Sequence, residues 1–297
     1  MEKYTYSITI THYNAPKLLA RMLKSIPERD DIQVIVVDDA STEENRLELA
    51  KLEHKNLFIK YLQENKGGGY ARNAGLELVQ AKWLIGVDCD DYFSANAFDV
   101  LDKYKDEEID CLMYSVQLVD QDNIVINKFI ESTKSTLDYL ASPSEKNLMA
   151  LKYRNTVTWN KMVSTRFIKE NNVQWEDCRV NIDVLFSFLV TTRMSKFKII
   201  PDYLYNLVTS DNSITRKKRT IEREFQFYLA AQKRNGFFLS AGLKKYPYYR
   251  KDYMYALHML KKCGLKGMIS FMRYVYQHKE EVAEAKNCYT SIIKNNI

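Results

Sequence analysis

The sequence has few cysteines, and none of them forms a C-x-x-C pair. The five are Cys89, Cys111, Cys178, Cys263 and Cys288. An odd number of widely spaced cysteines argues against both a zinc site and a disulfide framework. It fits a reducing compartment, where thiols are kept reduced.

Long apolar runs are also missing. No uninterrupted stretch approaches the roughly 18 apolar residues that a transmembrane helix needs. The N-terminal segment MEKYTYSITITHYN has no basic-then-apolar signal pattern. We therefore expect a cytoplasmic protein, with any membrane contact peripheral, at the inner face of the cell membrane.

Two common phosphate-binding motifs do not occur. G-x-x-x-x-G-K-[ST] is absent, and Gly67, Gly68 and Gly69 do not fit G-x-G-x-x-G. The sequence therefore has neither a P-loop nor the dinucleotide fingerprint. The triple glycine by itself indicates only a flexible turn that lets a backbone approach a ligand closely.

What is present is a globular composition with an uneven charge. Hydrophobic residues make up 46% of the 297 residues and charged residues 28%, enough to build a core. Residues 213–297 contain 18 Lys+Arg against 6 Asp+Glu, a balance of +12, so residues 1–212 carry −6 of the total of +6. This split predicts two parts, 1–212 and 213–297. The second either faces an anionic partner or is a solvated lysine-rich surface.

The first hundred residues alternate between strand and helix patterns. Short runs typical of buried parallel strands are YSITIT, IQVIVVD, LFIKYLQ and WLIGVD. Helical patterns lie between them, as in APKLLARMLKSI, which places five apolar residues on one face: Leu18, Leu19, Met22, Leu23 and Ile26. We expect an α/β fold with a doubly wound, mostly parallel sheet. A hairpin over residues 111–130 and a C-terminal helical extension from about residue 220 would follow it.

Ligands of such sheets bind at the carboxyl ends of the strands. The unusual polar residues stand there: Thr11, His12 and Tyr13 after the first strand, Asp38 and Asp39 after the second, Asp88, Asp90 and Asp91 after the fourth. A carboxylate can accept hydrogen bonds from a base or ribose, and a tyrosine ring can stack. Arg72, in the first turns of the helix after the glycines, offers a cationic fork for a diphosphate.

The three carboxylates at 88, 90 and 91 repel one another, so a folding argument does not explain them. Helix capping by Asp91 or Ser94 accounts for one of them. A divalent cation, Mn²⁺ or Mg²⁺, accounts for the cluster, since it prefers oxygen ligands and bridges carboxylates to substrate phosphates.

Five segments together resemble family-2 glycosyltransferases of the A-type nucleotide-sugar (GT-A) fold, a Rossmann-related fold. They are SITITHYNAPKLLARMLKSI, VIVVDDAST, QENKGGGYARNAGL, WLIGVDCDDYF and VTWNKMVSTRFI, and the resemblance covers about residues 4–195. It implies a metal-dependent, inverting transfer of a sugar from a UDP-sugar to a glycan or lipid-linked glycan in cell-surface polysaccharide biosynthesis. The resemblance also implies that residues 1–212 form the domain that binds the nucleotide sugar and carries out catalysis.

The resemblance also assigns roles residue by residue. Thr11 and Asp39 would contact uracil, with Tyr13 beside the base. Arg72 would approach the nucleotide or the diphosphate, and Gly67 is a further residue expected to bind the nucleotide sugar. Asp90 would be the direct metal ligand, while Asp88 would lie nearer the ribose and sugar and share the metal, with Asp91 in a supporting or capping role.

The family's catalytic base is the Asp of an E-D pair that opens a helix, and the stretch EDCRVNIDVLFSF offers two registers. Asp183 is followed by the apolar helix pattern VLFSF, whereas Glu176 and Asp177 are followed by CRVN. We favour Asp183, because it stands at a helix start. The usual Glu is then Ile182. Milder departures are Ala40 for a common Gly, Cys89 inside the D-x-D motif, and His12, which we interpret as a structural histidine.

Three other functions compete with the transferase. A nucleotidyltransferase would normally have a Gly-rich loop directly after the first strand, where THYNAPK stands. A non-catalytic nucleotide-sugar-binding protein is suggested by Ile182, and the basic C-terminal region permits nucleic-acid binding, although no recognition motif accompanies it. For residues 213–297 we expect a helical region that contacts the acceptor, a membrane surface or another copy of the chain.

Overall fold

The computed structural model describes residues 2–126, 128, 130–178, 181–209, 220–240, 242 and 252–289. These residues form two compact units, which are considered separately. The boundary predicted at residue 212 lies outside the described residues.

The first unit opens with the predicted alternation. Its early elements are β1 (Tyr4–His12), α1 (Pro16–Lys24), β2 (Ile32–Asp38), α2 (Glu43–Leu49), β3 (Leu57–Tyr61), α3 (Gly68–Leu76) and β4 (Ala81–Asp88). These four strands pair in parallel, in the order β3-β2-β1-β4. All seven residues of β2 are buried, which explains its unbroken apolar sequence.

The sheet continues with strands of mixed direction. The remaining elements are β5 (Tyr92–Phe93), α4 (Ala97–Leu101), β6 (Cys111–Val119), α5 (Glu131–Ala141), α6 (Glu145–Arg154), β7 (Lys161–Ser164), α7 (Thr165–Glu170), α8 (Asp183–Arg193) and β8 (Phe197–Val208). The full order is β3-β2-β1-β4-β7-β6-β8-β5, in which β6 and β8 are parallel and β7 is antiparallel to both its neighbours. The predicted α/β fold with a mostly parallel sheet is confirmed.

The hairpin predicted over residues 111–130 forms only in part. Its first half is the strand β6, and the described residues of its second half return with one antiparallel bridge, Val119 to Val125. Along one edge β6 pairs with β8 over most of its length, and along the other β7 reaches only Cys111 to Met113. The returning segment meets the end of β6, where the N–H of Ile126 donates to the carbonyl of Leu118 at 2.8 Å. Asp120 turns the chain, its Oδ1 accepting the backbone N–H groups of Asp122 and Ile124.

The second unit is helical, as predicted. It comprises α9 (Ile221–Ser240), α10 (Asp252–Gln277), which is interrupted at Gly264 with φ 68°, and α11 (Lys279–Cys288). Its core consists of Phe225, Tyr228, Met259, Phe271 and Val282. A Cβ on Gly236 would lie 2.0 Å from the carbonyl oxygen of Lys286, so glycine lets α9 and α11 touch. None of the described helices combines the length and apolarity needed to cross a bilayer.

Candidate active site

The polar residues at the strand ends meet at one edge of the sheet. In the strand register Thr11 pairs with Asp88, and His12 pairs with Asp38. The parallel strands β1, β2 and β4 therefore present their last side chains side by side. Tyr13 follows directly, with 51% of its surface exposed, so its ring is open to a ligand.

The buried residues His12 and Asp38 lie beneath this edge of the sheet. The buried Asp38 carboxylate accepts a hydrogen bond from Nδ1 of His12 at 2.9 Å and from Nε of Arg46 at 2.9 Å. Nε2 of His12 accepts the backbone N–H of Ala15, which fixes the neutral tautomer with the proton on Nδ1. Burial acts against the Asp38 charge, but hydrogen bonds from His12, Ser41 and Arg46 prevail and lower its pKa to about 2. The contacts of His12 are those of a structural histidine.

Asp39 fixes the loop that carries the glycines. Its two carboxylate oxygens accept the backbone N–H groups of Lys66 and Gly67, each at 2.9 Å. Gly67 has φ 94°, a conformation that favours glycine. The neighbouring Ala40 has φ 59°, so an L-residue here occupies the left-handed region where the resemblance shows a common glycine.

Arg72 occupies the centre of the site. Its side chain is 1% exposed, and its Nη2 donates to Oδ1 of Asp88 at 2.5 Å, while Nε lies 3.4 Å from Oδ1 of Asp183. One buried cation thus joins the end of β4 to the start of α8. Nε and Nη1 have no hydrogen-bond acceptor among the described residues, and a buried donor of this kind strongly favours binding an oxygen atom.

Two glycines leave space around this arginine, and an asparagine holds the adjacent segment in place. A Cβ on Gly86 would lie 3.1 Å from the ring of Trp175 and 3.6 Å from Nη1 of Arg72. A Cβ on Gly69 would lie 1.8 Å from the carbonyl oxygen of Glu176, so α3 packs directly on that backbone. Asn73 clamps the same segment, donating to the carbonyl and accepting the N–H of Trp175, both at 2.9 Å.

Asp183 is the first residue of α8, where the sequence predicted a helix start. Its carboxyl group is 17% exposed and accepts a hydrogen bond from the hydroxyl of Thr158 at 3.3 Å. Burial raises the pKa of Asp183, although Arg72 acts in the opposite direction. A carboxylate with a raised pKa next to a fixed cation has the properties of a general base.

The competing register, Glu176 and Asp177, lies beside the glycine loop, where the carbonyl of Glu176 packs on Gly69. Asp177 is exposed and Glu176 half-buried. The side chain of Ile182 lies over the start of α3, since a Cβ on Gly68 would be 2.9 Å from its Cδ1. In the place of the family's Glu there is thus an apolar contact with the glycine loop.

The three neighbouring carboxylates are not equivalent. Asp91 is buried and bound to β8: its Oδ2 accepts the hydroxyl of Tyr205 at 2.9 Å, and its Oδ1 accepts the N–H of Val208 at 2.8 Å. Asp90 is exposed and Asp88 half-buried. Asp91 is therefore a structural member of the cluster, and Asp88 and Asp90 are the members open to a ligand.

The cluster fits a hard divalent cation. One carboxylate oxygen from each of Asp88, Asp90 and Asp91 can be chosen so that all three lie within 4.8 Å of one another. Desolvation and then the charge of Asp88 raise the pKa of Asp90 to about 6, and the same two causes raise that of Asp91. The carboxylates thus resist ionising together, and an ion held by oxygen ligands would relieve this repulsion.

Several residues at the site were not assigned a role from the sequence: Thr158, Lys161, Trp175 and Tyr205. Lys161 is fully buried, and its ammonium donates to oxygens of Asn155, Val157 and Asn160. Its burial lowers its pKa to about 7. It holds the loop that carries Thr158 against α8, where Ser187 also bonds Val157. In the sequence, the one signal that Lys161 is buried is its position inside the stretch WNKMV.

Comparison with known sequences identifies a match over more than half of the chain. The model of a family described as glycosyl transferase family 2 matches residues 7–170. A relative is the poly(ribitol-phosphate) beta-N-acetylglucosaminyltransferase TarS of Staphylococcus aureus, 24% identical over 212 residues, which cover 69% of this chain and 35% of TarS. The chain thus spans about a third of the length of that relative.

Solved structures show the same fold. Residues 1–349 of S. aureus TarS in complex with UDP-GlcNAc superpose with a TM-score of 0.65 at 17% identity, covering 95% of this chain and 83% of that one. The mannosyltransferase PcManGT from Pyrobaculum calidifontis, in complex with GDP-Man and Mn²⁺, gives a TM-score of 0.51 at 14% identity, covering 97% of this chain and 83% of that one.

The different contacts of Asp90 and Asp91 predict opposite effects of their removal. Asp90→Ala should abolish stabilisation by Mn²⁺ and leave the melting temperature without metal unchanged or higher, since one repelling charge is lost. Asp91→Ala should lower the metal-free stability by about 1–3 kcal/mol, because Tyr205 and Val208 lose their buried acceptor. Differential scanning fluorimetry across a Mn²⁺ titration measures both effects. Equal effects of the two substitutions would contradict the assignment.

Proposed function

The chain belongs to glycosyltransferase family 2, and from this premise we propose that it transfers a sugar from a UDP-sugar to a hydroxyl group of a glycan or lipid-linked glycan, with inversion. The transferred unit is a hexose or an N-acetylhexosamine. One observation carries the proposal: the buried Arg72 joins Asp88, at the metal-binding cluster, to Asp183, the candidate base.

The donor nucleotide is proposed to bind where β1 and β2 end. Thr11 and Asp39 contact the uracil, and the exposed ring of Tyr13 lies beside it. Although Asp39 already accepts two N–H groups, an ionised carboxylate has about four acceptor sites, so it retains capacity for a base. UDP is preferred to GDP because the TarS structures carry UDP and UDP-GlcNAc.

The diphosphate is proposed to lie over the glycine loop and the carboxylate cluster. Asp90, with Asp88, would hold a Mn²⁺ or Mg²⁺ ion. When bound, such an ion neutralises the charge that develops on a diphosphate leaving group. Gly67 allows close approach of the backbone, and Nη1 of Arg72, which has no hydrogen-bond acceptor among the described residues, is proposed to donate to an oxygen of the donor.

Asp183 is proposed as the base. Its carboxylate accepts the proton of the acceptor hydroxyl as that oxygen forms a bond to C1 of the sugar and the bond from C1 to the diphosphate oxygen breaks. The leaving UDP takes the bonding electrons, so one displacement inverts the anomeric centre. Thr158 and Arg72 fix the orientation of the carboxylate, and the raised pKa of Asp183 makes it a better proton acceptor.

The place of the reaction is proposed to be the cytoplasm, within cell-surface polysaccharide synthesis. No disulfide joins any of the five cysteines, which supports a reducing compartment. Relatives named for teichoic acid and chondroitin synthesis support a glycan acceptor.

A donor screen tests the proposed function. The full chain is incubated with UDP-, GDP- and other nucleotide sugars, with Mn²⁺ or with EDTA, and release of free nucleotide is measured. We expect release from a UDP-sugar that depends on the divalent ion. Binding of UDP-sugars without any release would favour the non-catalytic binding protein, and release from GDP-sugars alone would contradict the uracil site.

Asp183 and Asp177 give a matched pair of substitutions. Asp183→Asn should lower turnover by about 10²–10⁴-fold, the usual contribution of a general base, and leave the dissociation constant for UDP nearly unchanged. Asp177→Asn, a change of the same size on an exposed residue, should retain activity. Below the raised pKa of Asp183 the base is protonated, so the rate should fall on that acidic side. An inactive Asp177→Asn enzyme with an active Asp183→Asn enzyme would establish the other register.

A further inference from the structure

We propose that α10 binds the surface of an anionic lipid membrane through an apolar stripe on its outer face. The stripe consists of seven exposed residues: Tyr253, Leu257, Leu260, Leu265, Ile269, Met272 and Tyr276. The inference concerns the second unit alone and does not depend on the proposed reaction.

The spacing of the stripe places its members on one side of each half of α10. Its members recur every three or four residues within each half of α10, before and after Gly264, as residues on a single helical face do. The opposite side is buried: Met259, from the first half, and Phe271, from the second, belong to the core of the unit. The helix therefore has two apolar sides, of which the core uses one.

The exposure of the stripe is large. Tyr276 is 75% exposed, Leu265 61% and Tyr253 60%. Single exposed apolar residues are normal on protein surfaces, whereas rows of three before Gly264 and four after it mark a surface that is covered by something else. The tyrosines stand near the two ends of the row, where an amphipathic ring suits the boundary between lipid and water.

The charges beside the stripe identify the occupant. Lys261, Lys266 and Arg273 are exposed, and by helical position they lie along one border of the stripe. After Asp252 the sequence of α10 contains no Asp or Glu. A helix with an apolar face bordered by cations is the pattern of a helix that lies in the interface of an anionic bilayer.

Lys262 provides an internal contrast. It lies on the other side of the helix and forms an ion pair with the buried Glu224 of α9, so its charge is used inside the unit. The three border cations have no such role, since no ion pair is found for them with any residue that the structure describes. Pairing of two stripes from two copies of the chain would bring these like charges together, which disfavours a dimer through this face.

Vesicle sedimentation tests the proposal with the full chain. Probes are vesicles of phosphatidylcholine alone and of phosphatidylcholine with an equal share of phosphatidylglycerol. We expect binding to the anionic vesicles that weakens with salt, and little binding to the neutral ones. Replacing Leu265, Ile269 and Met272 by Ser should reduce binding on the order of 100-fold. Replacing Lys261, Lys266 and Arg273 by Gln should reduce it by a similar factor.

Matched controls separate the stripe from general surface effects. Ile124→Ser removes an apolar side chain that is 63% exposed on the first unit. Replacing Lys24, Lys146 and Lys169 by Gln removes three exposed cations that lie outside the stripe. Both control proteins should bind like the parent, and the melting temperature of each variant shows whether it is folded. A single substitution, Leu265→Ser, is the fallback if the triple variant unfolds, with a loss of about tenfold.

Three outcomes would overturn the proposal. One is a parent chain that does not sediment with anionic vesicles. Another is a folded stripe variant that binds them as tightly as the parent. The third is a parent that is dimeric in light scattering, does not bind vesicles, and becomes monomeric when the stripe is changed, which would make the stripe an interface between copies. None of these outcomes bears on release of nucleotide from the donor.

Discussion

One buried cation organises the site. The Arg72 guanidinium is out of contact with water and lies between carboxylates that come from the two halves of the first unit, Asp88 at the end of β4 and Asp183 at the start of α8. A buried arginine is stable only when opposite charges accompany it. The requirement acts in both directions, because Arg72 opposes the rise in the pKa of Asp183 that burial causes. The edge proposed to bind the donor and the candidate base are thereby held together.

Much of the surrounding packing follows from the need to bury this side chain. Gly86 leaves space on β4 for Arg72 and Trp175, and Gly69 lets α3 lie against the backbone of Glu176. Asn73 ties the Trp175 segment to the same helix through two hydrogen bonds. The glycine-rich sequence before Arg72 thus serves helix packing as well as close approach of a ligand. Of the neighbouring residues in α3, Arg72 supplies the buried charge and Asn73 fixes the position of the Trp175 segment.

The fold and the edge of the site were predictable from local patterns, and the contacts between distant segments were not. Apolar runs predicted β1 to β4, and the pattern after Asp183 predicted the start of α8, because both depend on neighbouring residues. The bonds from Tyr205 to Asp91 and from Asn73 to Trp175 join residues about a hundred or more positions apart, so no spacing reveals them. The hairpin after residue 111 forms only in part for a related reason, since β6 pairs over most of its length with β8, which comes later in the chain.

A double-mutant cycle between Arg72 and Asp183 tests the central claim most directly, with the free energy of unfolding as the measured quantity. Arg72→Met alone leaves buried carboxylates without their counter-charge and should cost about 3–5 kcal/mol. Adding Asp183→Asn to that variant should cost less than the same change in the parent, or even restore stability, with a coupling of about 1–3 kcal/mol. Strictly additive costs would show that the two side chains do not depend on each other, and would contradict the account.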